Sequence, residues 1–246
     1  MPRYDSEPRP LGASGQRAEE AIQQIRDNIL VYGFSAFSGS MLGLPDDFDE
    51  TLSRTYFNDQ VLSSDVPDIP EDRKRARDVI YYEWHSSRLD LSEHDTIVIK
   101  NRGNIPGERK HSRVQLLDNE YGRAWVEACL SLIPVSRRSN RGTFGVNLFR
   151  TFTQVVTKPH QDDEEYIIIY VLDKVGTGGE SYLYSSDNPG KLLFSSTLQP
   201  GEGLIFKDQS FLHGATELVA PEGAHAQRDA LVCTVDYLDT YLSETS

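Results

Sequence analysis

Lys158-Pro159-His160-Gln161-Asp162, followed a few residues later by the apolar run Tyr166-Ile167-Ile168-Ile169-Tyr170-Val171-Leu172, is the stretch from which the rest of the chain is read. The run reads as a strand. In an extended segment, side chains two residues apart leave the same face, so His160 and Asp162 can reach one metal ion while Asp163 points outward. Working outward, short apolar runs separated by Gly, Pro, Asn and Asp continue on both sides: 143–153, 181–185, 192–195, 203–206, 213–219 and 230–237. Strands of this length and spacing predict a sandwich or jelly roll. Helical periodicity is confined to the first half, at 16–30, 46–56 and 119–133, with strand character at 79–84 and 96–100. The fold class is therefore mainly β with flanking α-helices, the helices packing outside one sheet and leaving the barrel mouth open.

A His-x-Asp pair needs a third ligand. His213 is the candidate, since it follows the strand-like Gly203-Leu204-Ile205-Phe206. Two imidazoles and one carboxylate on one face of a six-coordinate ion leave three positions open, the arrangement used by non-haem Fe(II) oxygenases. Turn sequences Gly178-Gly179-Glu180 and Pro200-Gly201-Glu202-Gly203 fall between the proposed ligands. Arg228 heads the apolar run Ala230-Leu231-Val232-Cys233-Thr234-Val235, where a guanidinium needs an anionic partner. A dicarboxylate matches its planar fork.

His160-x-Asp162, the Gly-Gly turn, His213 and Arg228 together resemble the Fe(II)- and 2-oxoglutarate-dependent dioxygenases. More narrowly, His160-Gln161-Asp162-Asp163-Glu164, Phe206-x-Asp208-x-x-x-x-His213 and Arg228-Asp229-Ala230-Leu231 resemble the small bacterial amino-acid hydroxylases that include L-isoleucine hydroxylase. The likeness is densest from Gly142 to Tyr237. It implies a double-stranded β-helix (jelly roll, cupin-like) with its core at about 143–238. It also implies Fe(II) on His160, Asp162 and His213, 2-oxoglutarate with Arg228 on its far carboxylate, and O2. The activity implied is oxidation of an unactivated C–H bond of a free amino acid or small derivative, most simply hydroxylation, with release of succinate and CO2. Cyclopropanation, desaturation or epimerisation in natural-product biosynthesis uses the same cofactors. A non-oxidative cupin-like metal enzyme or a metabolite-binding protein would reuse the strands without needing Arg228. Two residues after the arginine, where relatives often carry a hydroxyl, this chain has Ala230, so a second contact to the carboxylate comes from another strand.

In the relatives the strand bearing Asn147 and Arg150 and the strand bearing Tyr170 line the pocket. Asn147 and Tyr170 are thus candidates to hold 2-oxoglutarate, and Arg77, Asn147 and Arg150 to hold the substrate's charged head. A core role for Tyr170 is the competing reading. The basic cluster Arg73-Lys74-Arg75-Ala76-Arg77 reads as a solvated lead-in to a strand, and His85, His94, His111 and His225 as surface residues.

The net charge of −13 over 246 residues argues against a phosphate-binding surface and so against nucleic-acid partners. No leader-like or membrane-spanning segment is seen, which suggests a cytoplasmic protein. The two cysteines, Cys129 and Cys233, lie in apolar sequence and read as reduced core thiols. Residues 1–15 read as a flexible tail before a single domain at 16–246, and 101–107 as a loop able to cover a pocket.

Overall fold

The computed structural model describes residues 13–62, 73–94, 99–100, 108–109, 113–152 and 157–237. The loop expected at 101–107 and His111 lie outside these. So do residues 1–12 of the expected tail, while Ala13 already opens the first helix.

Helix α1 (Ala13–Tyr32) buries Ile25 and Ile29 and stops where Gly33 adopts a φ of 82°, a left-handed conformation that glycine enters without steric penalty. It hands over to β1 (Phe34–Ser38), and α2 (Phe48–Tyr56) follows. Strands β2 (Arg73–His85) and β3 (Arg88–Glu93) form a hairpin, and β4 (Ile99–Lys100) pairs with β5 (Glu108–Arg109). Helix α3 (Glu120–Ser131) is capped by Asn119, whose side-chain oxygen accepts from the Tyr121 and Gly122 amides at 2.8 and 3.4 Å. The rest is β: β6 (Arg141–Thr151), β7 (Thr157–His160), β8 (Tyr166–Val175), β9 (Thr177–Gly178), β10 (Ser181–Ser185), β11 (Leu192–Ser196), β12 (Glu202–Lys207), β13 (Phe211–Ala215), β14 (Leu218–Val219) and β15 (Gln227–Tyr237).

These strands make a seven-stranded antiparallel sheet, ordered β1-β12-β8-β15-β6-β2-β3, and a four-stranded one, ordered β11-β10-β13-β7. The alternation along each strand sorts its side chains between two cores. Tyr166, Ile168, Tyr170 and Leu172 of β8 join Phe144, Val146 and Leu148 of β6 and Leu231, Cys233 and Val235 of β15 in the layer shared with Trp125, Cys129 and Phe48 of the helices. Ile167 and Val171 face the other way, packing with Leu183, Phe206 and Phe211 between the sheets. Each fully buried aliphatic or aromatic side chain contributes about 1.5–3 kcal/mol. Cys129 and Cys233 are free and buried, and the Trp125 indole donates to Cys233 Sγ at 3.3 Å. No helix among the described residues is long and apolar enough to cross a membrane.

Candidate active site

The inter-sheet core gives way to a polar cavity beside β7 and β13. These two strands pair with His160 directly opposite His213, and the ring centroids lie 4.2 Å apart. His160 Nδ1 sits 2.9 Å from the Lys158 carbonyl. A carbonyl only accepts, so Nδ1 carries the proton and the Nε2 lone pair is left facing Asp162 Oδ1 at 3.3 Å. His213 Nε2 lies 3.6 Å from Asp162 Oδ2. One ligand atom from each of the three side chains falls within 4.8 Å of the other two, a grouping able to hold a metal ion. The Asp162 contact raises the His160 pKa against the effect of burial. Burial pushes the Asp162 carboxyl up, but His160, His213 and the Arg77 charge together bring it below the usual carboxylate range. The trio is thus set to bind a cation.

His160 and Asp162 converge as their spacing predicts, but Asp162 lies just beyond the strand rather than within it. Strand β7 ends at His160, and the chain turns through Asp163, whose φ is 61° and whose side chain is exposed. What aims Asp162 is Asp208, a wholly buried carboxylate in the single 3-10 turn between β12 and β13. Its Oδ2 accepts from the Asp162 amide at 2.8 Å and the Glu164 amide at 3.2 Å, and its backbone carbonyl accepts from Gln161 Nε2 at 3.1 Å. Oδ1 lies 3.3 Å from His213 Nδ1, close enough for attraction although off the hydrogen-bonding direction.

His160, Asp162 and His213 line a cavity of about 360 Å³ together with Arg228, Ser181 and Thr151. Burial pushes the Arg228 guanidinium down to about 10. Its Nη2 reaches Ser181 Oγ at 3.5 Å, its buried Nε has no hydrogen-bond acceptor, and it has no carboxylate partner among the described residues. Ser181 itself is buried. A buried guanidinium with only a hydroxyl beside it is a receptor for an anion. Lys174, which donates to the Gly178 carbonyl at 2.7 Å, is held below its ordinary pKa by burial and by the Arg228 charge, so a second cation lies nearby.

The other expected residues divide by strand phase. Asn147 lies between Arg77 and Val232 in the sheet and donates to the Val232 carbonyl at 3.2 Å. Two and four residues further along β6, Phe149 and Thr151 line the cavity. Arg77 is on the same face: its guanidinium lies over Gly145, where a Cβ would come within 3.0 Å of Nη2. Its pKa is lowered by burial and raised by Glu164 and Asp162. Tyr170 and Arg150 occupy the opposite face, which corrects both expectations. The Tyr170 hydroxyl donates to Asp49 at 2.8 Å, and its ring packs on Trp125 and Phe37 in the helical layer. Arg150 grips Asp229 through Nε and Nη2 at 2.8 and 2.7 Å and also donates to the Phe57 carbonyl at 2.8 Å. The lead-in read as solvated is also corrected, because Arg73, Arg75 and Arg77 are half-buried on alternate residues of β2 and Arg73 lines the cavity. His85 is a surface residue between Glu83 and Asp90, His94 stacks on Tyr81, and His225 is exposed.

Two residues carry parts of the site to which the sequence alone gives no role. Ser181 supplies the hydroxyl sought near Arg228, and its only signal is its place directly after the Gly178-Gly179-Glu180 turn. Asp208 stands in the string Phe206-x-Asp208-x-x-x-x-His213, five positions before His213, with nothing there to say that it is buried or what it holds.

Comparison with known proteins agrees with this geometry. The family model of the 2OG-Fe dioxygenases matches residues 59–234. No curated protein matches the chain. Among solved structures, a bsmA homologue from Methylobium petroleophilum PM1 is 19% identical, with a TM-score of 0.71 over 93% of this chain and 94% of its own. The Fe(II)/(alpha)ketoglutarate-dependent dioxygenase TqaL is 16% identical, with a TM-score of 0.68 over 89% of each chain. IDO from Bacillus thuringiensis is 17% identical, with a TM-score of 0.66 over 88% of this chain and 99% of its own. At such identities the structural likeness speaks for the jelly-roll fold. The family match spans well over half of the sequence and contains the His-Asp-His cluster, so the chain belongs to the 2OG-Fe dioxygenase family, oxidoreductases whose cofactors are Fe(II), 2-oxoglutarate and O2.

Proposed function

We propose that His160, Asp162 and His213 hold Fe(II), that Arg228 binds the far carboxylate of 2-oxoglutarate, and that the enzyme hydroxylates an unactivated C–H bond of a free amino acid or small amino-acid derivative. The observation that carries this reading is that His160 and His213, each with Nε2 turned to Asp162, line the same cavity as the anion-receptive Arg228. The residues fit the implied groups: two neutral imidazoles and a carboxylate suit Fe(II), and a buried guanidinium beside a serine hydroxyl suits a carboxylate. When bound, iron with 2-oxoglutarate and O2 supplies the oxidising power for C–H cleavage, with succinate and CO2 as co-products.

The protein's own share is placement. Arg228 and Ser181 fix the co-substrate's far end, and Ala230 and Val232 wall the cavity with apolar surface. Arg77 and Asn147, on the same sheet face, are the groups offered to the substrate's carboxylate. Holding the target C–H in a reactive geometry is where such a site gains its rate. The test is succinate release from 2-oxoglutarate with Fe(II) and ascorbate against a panel of amino acids, with products identified by mass spectrometry. Stimulation by an aliphatic amino acid with a new oxidised product is expected. Turnover of peptide- or carrier-bound residues alone would overturn the substrate class, and the absence of any 2-oxoglutarate turnover would overturn the cofactor assignment.

A further inference from the structure

The geometry points to Asp208 as a positioning residue that sets two metal ligands at once, selecting the tautomer of His213 with one carboxylate oxygen and the aim of Asp162 with the other. The inference rests on the reading of His160, Asp162 and His213 as the metal centre.

Asp208 is wholly buried, and both its oxygens face the ligand set. Oδ2 gathers the amides of Asp162 and Glu164, which bracket Asp163 and its left-handed φ of 61°. Without an acceptor there, two amides would lose their partner and the turn that departs from β7 would have no local reason to close. Oδ1 lies 3.3 Å from His213 Nδ1, off the ideal hydrogen-bonding direction, and neither of these buried atoms has another partner, so each is the other's nearest means of satisfaction. A carboxylate only accepts, so Nδ1 is where the neutral imidazole keeps its proton, and the Nε2 lone pair is free to face Asp162. His160 reaches the same tautomer by another route, through the Lys158 carbonyl at 2.9 Å. The two imidazoles are thus preset by a backbone group in one case and by a side chain in the other, and only the second can be altered by substitution.

That difference defines the experiment. Asp208→Asn keeps one oxygen to accept the Asp162 and Glu164 amides, so the turn survives. It also places an NH2 donor against His213 Nδ1, which must then accept and move its proton to Nε2, the ligating atom. Mn(II) binding to the full-length protein is measured by isothermal titration, alongside metal-free thermal unfolding. D208N is expected to unfold near the wild-type temperature and to bind Mn(II) roughly 10- to 100-fold more weakly, the range typical when a partner of a ligating histidine is lost. Wild-type affinity in D208N would overturn the proposal while leaving the metal centre standing, provided His213→Ala abolishes binding. If His213→Ala binds as tightly as wild type, the metal reading itself fails and the proposal falls with it. Should D208N unfold early, 15N NMR of the imidazoles in metal-free wild-type protein decides the matter: His213 must carry its neutral-form proton on Nδ1, and a proton on Nε2 would overturn the assignment.

Discussion

At the scale of single residues, adjacent acids in this chain have unlike roles. His160→Ala, Asp162→Ala and His213→Ala should each abolish turnover and iron retention together, whereas Asp163→Asn should retain most of both. Asp163 is exposed at a φ of 61°, a conformation asparagine tolerates as well as aspartate. Iron content measured beside activity separates ligand loss from misfolding, and a D163N variant as inactive as D162A would contradict the placement. Arg228→Ala should raise the apparent KM for 2-oxoglutarate far more than that for the prime substrate, by the equivalent of about 2–5 kcal/mol for a charge contact in a desolvated site. Lysine should restore part of it, because it keeps the charge and lacks the fork. Ser181→Ala should shift the same parameter by about 1.5–3 kcal/mol, the worth of a hydrogen bond to a charged group. Equal effects on both substrates would argue against either role.

At the scale of elements, strand phase decides which residues serve the site and which serve the frame. Arg150 ties β6 to β15 through Asp229 and to the end of α2 through the Phe57 carbonyl. Arg150→Ala leaves the buried Asp229 without its cation and with only the Gln227 amide to donate to it, so urea denaturation of the metal-free protein should show a loss of about 3–5 kcal/mol with Mn(II) affinity little changed. Tyr170→Phe removes only the bond to Asp49 and should cost about 1 kcal/mol, leaving the KM for 2-oxoglutarate where it was. A KM shift in Y170F would put the ring back in the pocket. These two residues also show how far the sequence can be read. The apolar run at 166–172 and the helical periodicity at 16–30, 46–56 and 119–133 are local signals, and each produced the expected element. Strand phase at 147–150 and 166–172 was not fixed by local pattern, because both faces of β6 and β8 are buried and period-two alternation disappears when neither side is wet. The convergence of Asp162 on His160 was legible from its spacing, but the turn that holds it was not, since its acceptor Asp208 lies far along the chain.

At the scale of the whole molecule, the net charge of −13 coexists with buried acids whose ionisation works against folding. Asp78 is wholly buried and accepts from the Leu116 and Val79 amides at 2.8 and 2.9 Å, and burial, reinforced by Glu93, pushes its carboxyl from 3.8 up to about 7. The native state therefore favours the protonated acid. Its stabilising contribution is fully present below pH 3.8 and is lost as pH rises towards about 7. The unfolding free energy of the metal-free wild type relative to Asp78→Asn should fall across that window, and a flat difference would show that Asp78 titrates normally. The register that sets His160 against His213 has another consequence. Strand β7 is the outermost strand of its sheet, carries Pro159 with no amide to donate, and pairs only with β13 among the described residues. An ion shared by residues 160 and 213 is then a cross-link, fastening a weak border strand to its neighbour and closing the intervening chain into a loop. At a metal concentration about 100 times Kd it would hold the fastened form by about 2.7 kcal/mol, so the β7 amides should exchange with deuterium about a hundredfold more slowly than in chelated protein while β8 stays unchanged.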